Sequence, residues 1–167
     1  MIKRILSVAM FVSIAFTSFS QSNTVTEFEK KNEGSGYNLY MYQSVIRVLN
    51  KDDNQDFNRL IRDLDFLKVI ITDSTESSAK TEYLTLSSSI IKEGYEELFM
   101  IDNKDMKASI YEKEGNSDKS EFVAFVYSAD FHRTGAFQMK GELDLKYLKA
   151  FESLDFQKLK ELAEDQN

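Results

Sequence analysis

The sequence contains no cysteine, no proline and only one histidine, His132. Without cysteine the chain can form no disulfide bond and can carry out no thiol chemistry. A single histidine excludes zinc sites that are built from several histidines. Without proline the turns depend on glycine, asparagine and aspartate, and no cis-proline can slow folding.

Basic residues are fewer than acidic ones. The chain has 21 lysines and arginines against 28 aspartates and glutamates, which gives a net charge of −7. A negatively charged surface repels the phosphate backbone of nucleic acids, and no stripe of basic residues opposes this effect. We therefore expect no nucleic acid among the partners of this protein.

The first 20 residues have the pattern of a cleavable secretory signal peptide. Lys3 and Arg4 precede an apolar run over residues 5–16. This run is shorter than the ~20 residues that a membrane-spanning helix needs. Ser18 and Ser20 provide the small residues of a cleavage site between Ser20 and Gln21. The alternative is an uncleaved membrane anchor, whereas a lipid anchor would need a cysteine.

Cleavage would place the protein in the periplasm or outside the cell, with no membrane span in the mature chain. It would also remove Lys3 and Arg4, leaving 19 basic against 28 acidic residues. The chain has neither a disulfide nor an Asn-x-Ser/Thr glycosylation sequence, which favours a bacterial cell envelope over secretion from an animal cell.

Residues 21–167 are expected to form a single domain, since their length suits one domain and no repeat or linker divides them. Two capping boxes, Thr24 with Glu27 and Asp73 with Glu76, predict helix starts. Alternation predicts a strand at 37–42, and a β-branched run at 66–72 predicts a central strand covered on both faces. Helices are predicted for 45–49, 57–64, 79–91 and the C-terminal region with apolar residues from Leu145 to Leu162.

From residue 97 onward the apolar pattern changes to period two. Four strands are predicted, over 97–103, 106–113, 120–128 and 134–143, and the short polar connections between them predict an antiparallel meander. The fold class is therefore α+β: a mainly antiparallel sheet, with a C-terminal four-strand meander, and helices packed on one face.

Several residue groups resemble functional sites, and each has a simpler interpretation. Asp52, Asn54 and Asp56 match the start of a calcium loop, but Phe57 stands where that loop needs glycine, so a helix start is favoured. His132 has no serine-nucleophile motif to serve. The adjacent carboxylates of Glu96 and Glu97 would point to different faces, whereas glycoside hydrolysis needs two carboxylates in one cleft. No catalytic, cofactor-binding or metal-binding residue is therefore assigned.

Aromatic residues are abundant, with 13 phenylalanines and 8 tyrosines. Tyr40 and Tyr42 share one face of the first predicted strand. An exposed pair of this kind can stack on a sugar or cover a lipid groove. The simpler interpretation is cross-strand packing beneath a helix.

Two segments together carry a family resemblance: residues 40–49, and Gly94-Tyr-Glu-Glu-Leu98 with the strand and hairpin after it. The chain resembles the domain of unknown function 4252, a family of short exported proteins of Bacteroidota, over roughly residues 28–148. The resemblance implies structural roles for Gly94 as a helix cap and for Tyr95 and Leu98 as packing residues. It also implies an envelope location and supplies no activity. Some members are described as lipoproteins, from which this cysteine-free chain departs.

Because no catalytic residue is assigned from the sequence, the leading hypothesis is a non-enzymatic protein of the cell envelope that binds another macromolecule or a peptide. The alternative is a periplasmic carrier that holds a lipid or other apolar ligand between sheet and helices. An envelope protein or an apolar ligand is the expected partner. A carrier needs a contiguous apolar cavity, whereas an interaction module needs an exposed apolar patch.

Overall fold

The computed structural model describes residues 21–50, 53–73, 75–115, 119–142 and 146. The expected signal peptide, residues 1–20, and the expected C-terminal helix from Leu145 to Leu162 lie outside this part of the chain. The described elements, in chain order, are α1 (Asn23–Lys31), β1 (Tyr37–Tyr42), α2 (Gln43–Ile46), a 3₁₀ turn (Arg47–Leu49), α3 (Gln55–Ile61), β2 (Leu64–Asp73), α4 (Glu76–Lys92), β3 (Glu96–Asp102), β4 (Met106–Glu114), β5 (Ser120–Ser128) and β6 (Arg133–Gly141).

The six strands form one sheet in the order β1-β2-β6-β5-β4-β3, and every neighbouring pair is antiparallel. Strands β3 to β6 form the predicted meander, and β2 lies between β1 and β6 inside the sheet. The α+β class with a mainly antiparallel sheet is thus confirmed. Among the described strands, this order places β1 and β3 at the two edges, so each of them pairs with one described neighbour.

Both faces of the sheet carry a buried apolar cluster. One cluster includes Ile70 of β2 and Phe125 of β5, which pack with residues of α1 and α4. The other includes Leu67 and Val69 of β2, which pack with Ile46 of α2 and with residues of α3. Since successive strand residues point to opposite faces, Val69 and Ile70 supply the two clusters in turn. The longer helices α1 and α4 thus share one face as expected, and the short helices α2 and α3 add a layer on the other.

The capping boxes expected from the sequence are not the ones that form. Helix α1 begins after Ser22, whose hydroxyl accepts a hydrogen bond from the amide of Val25. Thr24 lies inside the helix, where its hydroxyl donates to Glu93. Helix α4 begins after Thr75, and Ser78 completes the box in place of the expected Asp73–Glu76 pair. The observed cap lies two residues before the expected one in α1 and two residues after it in α4, and in both cases it is a serine or threonine.

Two further boundaries differ from the prediction. The apolar run at residues 45–49 was expected to be a buried helix, but Val45 and Val48 are exposed and Ile46 is buried. The run divides into α2 and the 3₁₀ turn, so Ile46 points towards the sheet. The helix expected over 57–64 begins at Gln55 and ends at Ile61, because Asn54 caps it and Leu64 already belongs to β2.

Within the described residues no helix combines the length and apolar character that crossing a membrane requires.

Candidate interaction site

Edge strand β3 exposes three consecutive apolar side chains, and we call them the edge triplet: Leu98, Phe99 and Met100. They are 39%, 54% and 55% exposed. Phe99 lies opposite Ile110 of β4 and Met100 lies opposite Ser109, so the two side chains point to different faces of the sheet. The apolar surface therefore wraps around the edge of the sheet instead of lying on one face.

A β-bulge shapes this edge. The register between β3 and β4 shifts between Glu97 and Phe99, so that Leu98 is the extra residue. A bulge bends and twists the strand that carries it, and bulges are frequent at sheet edges. Because of the bulge, Leu98 and Phe99 are both exposed rather than alternating between a buried and an exposed face.

Acidic residues lie beside the edge triplet. Glu96 and Glu97 precede it, and Glu96 lies opposite Glu112 of β4. Asp102 ends the strand and forms an ion pair with Lys107 of the same hairpin. Like charges directly opposite each other on neighbouring strands are unfavourable by about 0.2–1 kcal/mol. The start of β3 is thus a negatively charged position that a basic residue would stabilise.

The start of β3 is fixed to the rest of the protein by a buried tyrosine. Tyr95 is buried in the apolar cluster that contains residues of α4 and β5. Burial raises the pKa of Tyr95 far above its usual value, and the carboxylates of Glu121 and Glu93 raise it further. Lys113 of β4 lies over the same ring, 5.2 Å from its centroid. The edge triplet therefore lies shortly after a residue, Tyr95, that is held in the core.

A second surface feature is a groove of about 500 Å³ between α1 and α4. Its lining combines hydroxyl and charged groups, such as those of Thr81 and Glu82, with apolar surface that includes Phe28 and Leu86. Lys31 lies at this groove and forms an ion pair with Glu82. An apolar ligand could contact the apolar surface but would lie beside this ion pair, and desolvating the charged groups would be costly.

The family model for the Domain of unknown function (DUF4252) matches residues 23–151. The chain belongs to this family. The match covers every described helix and strand, so the sheet with its exposed edge β3 belongs to the DUF4252 domain itself. Neither the curated proteins nor the solved structures gave a match.

The three positions to which the DUF4252 resemblance assigned structural roles are in different environments. Gly94 follows the end of α4 with φ +86°, and its amide donates to the carbonyl of Ile91. The amide of Tyr95 donates to the carbonyl of Ile90, which completes a Schellman-type cap. Leu98 was expected to pack, but it is exposed because it is the extra residue of the bulge.

The other sequence candidates do not converge on one place. Asn54 caps α3 by accepting from the amides of Asp56 and Phe57, whereas Asp52 lies outside the described residues. His132 lies in the turn between β5 and β6 with φ +50°. Among the described residues, no group of three or more acidic, histidine or cysteine side chains is placed to hold a metal ion.

Sequence reasoning missed Phe99 and Met100 as surface residues. The run Leu98 to Ile101 correctly predicted a strand, but a strand in the middle of the sheet would have the same pattern. The order of the strands decides that β3 is at the edge, and that order depends on contacts between distant residues. The acidic pair Glu96–Glu97 before the run was the one local signal, because charged residues are common on edge strands.

Proposed function

We propose that this DUF4252 protein is exported to the cell envelope and acts there as a non-enzymatic module that binds an extended segment of another polypeptide along β3. The observation that carries the proposal is the edge triplet: an edge strand with three consecutive exposed apolar residues. An edge strand offers unpaired backbone groups to an incoming strand, and exposed side chains along it provide apolar contacts and specificity.

The charges along β3 favour a partner other than a second copy. If two β3 strands paired antiparallel around Phe99, Glu96 of one copy would lie opposite Asp102 of the other. Both ends of the pair would then bring like charges together. A segment of another protein with basic residues beside its apolar ones would instead place positive charge opposite Glu96. The partner we propose is therefore an extended, basic and apolar segment of an envelope protein.

Export rests on the sequence alone: the basic residues Lys3 and Arg4, the short apolar run and the small residues before Gln21. A periplasmic or secreted location follows from cleavage at that point. The carrier alternative has less support, because a ligand in the groove between α1 and α4 would lie beside the ion pair of Lys31 and Glu82.

Site-specific photo-crosslinking tests this proposal. A photoreactive phenylalanine analogue would replace Leu98 or Met100 in cells that express the full chain, and in a control it would replace Phe131. Phe131 is 72% exposed and lies in the β5–β6 turn, so the control is a more accessible position on the same protein, away from β3.

The expected result is one adduct with a distinct envelope polypeptide from positions 98 and 100 and none from position 131. A synthetic peptide of the cross-linked segment should bind the purified mature protein, and Phe99→Lys should weaken that binding more than Phe131→Lys. Adducts that are the same from all three positions would contradict the proposal. A homodimer cross-linked through position 98 would contradict the choice of partner.

A further inference from the structure

The second edge strand, β1, carries an aromatic surface that the proposed function does not use. Tyr40 stacks on Phe66 of β2, with ring centroids 5.1 Å apart and an interplanar angle of 18°. Phe66 is buried, whereas Tyr40 is 45% exposed. Phe66 thus covers one face of the Tyr40 ring, and close to half of Tyr40 remains exposed.

Tyr42 lies beside the exposed ring of Tyr40. Its centroid is 5.2 Å from that of Tyr40, and the two ring planes are 73° apart. Tyr42 is 62% exposed. Burial raises the pKa of the Tyr40 hydroxyl, and the neighbouring Tyr42 raises it further. We call Tyr40, Tyr42 and the supporting Phe66 the tyrosine platform, in which the Tyr42 ring is steeply inclined to the Tyr40 ring.

The sequence interpretation of Tyr40 and Tyr42 as packing beneath a helix does not hold. Helix α1 covers the neighbouring part of this face, where its Glu29 forms an ion pair with Lys68 at 2.5 Å. Lys68 lies directly opposite Tyr40 in the β1–β2 pair. Helix α1 therefore covers the sheet beside the platform but leaves both tyrosine rings accessible.

Charged groups flank the platform in neutralised pairs. Asp65 lies close enough to contribute to the raised pKa of Tyr40, and its carboxylate contacts the ammonium of Lys119. On the other side, Glu29 and Lys68 form the second pair. A cationic ligand would have to compete with Lys119 or Lys68 for these carboxylates. A neutral ligand needs no such competition and can use both the carboxylate oxygens and the ammonium groups as hydrogen-bond partners.

We propose that the tyrosine platform binds a pyranose ring of a neutral glycan. A pyranose has one face of C–H groups, which suits an open aromatic ring, and hydroxyls around its rim, which both donate and accept hydrogen bonds. The Tyr40 ring offers the stacking face, and Asp65, Lys119 and the tyrosine hydroxyls offer partners at the rim. This binding is independent of the partner of β3, which lies at the opposite edge of the sheet.

The test is a titration of the purified mature protein with soluble neutral oligosaccharides, followed by NMR signals of the tyrosine rings and by calorimetry. The probes are hexamers of β-1,4-linked glucose, α-1,4-linked glucose and β-1,4-linked N-acetylglucosamine at millimolar concentration. At least one hexamer should shift the signals of Tyr40 and Tyr42. Tyr40→Ala should weaken the binding of that hexamer about tenfold or more, the size of effect seen when an aromatic ring that stacks on a nucleic-acid base is removed.

Two controls separate stacking from general surface effects. Tyr40→Phe keeps the ring and should bind within a few-fold of the parent, and Phe131→Ala removes an exposed aromatic ring elsewhere and should change nothing. The proposal is wrong if no hexamer shifts the Tyr40 and Tyr42 signals, or if Tyr40→Ala binds as tightly as the parent. It is also wrong if a tetraalkylammonium ion or a basic peptide binds the platform and the hexamers do not.

Discussion

The carboxylate of Glu93, the residue that follows helix α4, accepts hydrogen bonds from both the amide and the hydroxyl of Thr24 in the first turn of helix α1. It also accepts from the amide of Asn23 and the hydroxyl of Ser22. The amides at the start of a helix have no partners within the helix, and they favour a negative charge. One side chain thus caps α1 from a position far away in the sequence and fixes it against α4.

Glu93→Gln should lower the free energy of unfolding by about 1–3 kcal/mol. The amide keeps the shape of the side chain but loses the charge that strengthens these hydrogen bonds. Urea unfolding of the mature protein, followed by circular dichroism, measures the change. Glu114→Gln at an exposed position in β4 is the control and should have little effect. Equal stability of the two variants would mean that Glu93 does not fix α1.

Gly94 should tolerate asparagine better than valine. Its φ of +86° lies in the left-handed region, and a Cβ atom built there would meet no atom within 4 Å. The cost of substitution therefore comes from the backbone conformation and not from a clash. We expect Gly94→Val to cost about 1–2 kcal/mol and Gly94→Asn appreciably less, because asparagine visits this region more readily. Thermal unfolding of the two variants decides the point, and identical melting temperatures for both variants and the parent would refute it.

Tyr95 should make the protein less stable in alkaline solution. Burial and the charges of Glu121 and Glu93 raise the pKa of the Tyr95 hydroxyl in the folded state. Above pH ~10 the unfolded chain therefore loses the hydroxyl proton while the folded chain keeps it. The stabilisation is fully present below that pH and is lost as the pH rises, by up to about 1.4 kcal/mol per pH unit.

Unfolding by urea at several pH values from about 9 to 11 measures this slope. Tyr95→Phe should have a shallower slope than the parent. Phe131→Leu, at an exposed position without an ionisable group, should keep the slope of the parent. Parallel curves for the parent and Tyr95→Phe would show that Tyr95 ionises normally.

The mature protein should begin at Gln21 and carry no lipid. Intact-mass analysis of protein isolated from the cell envelope checks this expectation, which follows from Ser18, Ser20 and the absence of cysteine. Ser20→Leu should slow cleavage, because the cleavage site needs a small residue there. A mature species that retains Met1, or one with the added mass of an acyl chain, would contradict the proposed export route.

The sequence predicted the sheet better than the helix starts and the site. Period two in residues 97–143 and the β-branched run at 66–72 depend on which face is buried, and this is a local pattern. The start of α1 was misplaced because Thr24 and Glu27 form a good capping box, yet Glu93 takes the Thr24 hydroxyl. Contacts such as Glu93–Thr24 join residues that are distant in sequence, and one sequence alone carries no signal for them.

The candidate site was predicted only in part, for the same reason. Tyr40 and Tyr42 were recognised as one face, but their exposure depends on where helix α1 ends its cover of the sheet. Leu98 was expected to pack because of the family resemblance, and neither the bulge nor the edge position of β3 can be read from alternation alone. Exposure at an edge is a property of strand order, and strand order is set by the whole fold.

Amide hydrogen exchange of the mature protein, alone and with the polypeptide segment cross-linked from position 98, tests whether a partner strand adds to β3. An added strand hydrogen-bonds to the outer edge of β3, so we expect new protection of the β3 amides that do not donate to β4. This protection should be lost in Phe99→Lys and retained in Phe131→Lys. Binding with no new protection in β3, or with protection confined to β1 or to the groove between α1 and α4, would show that the partner does not bind along β3.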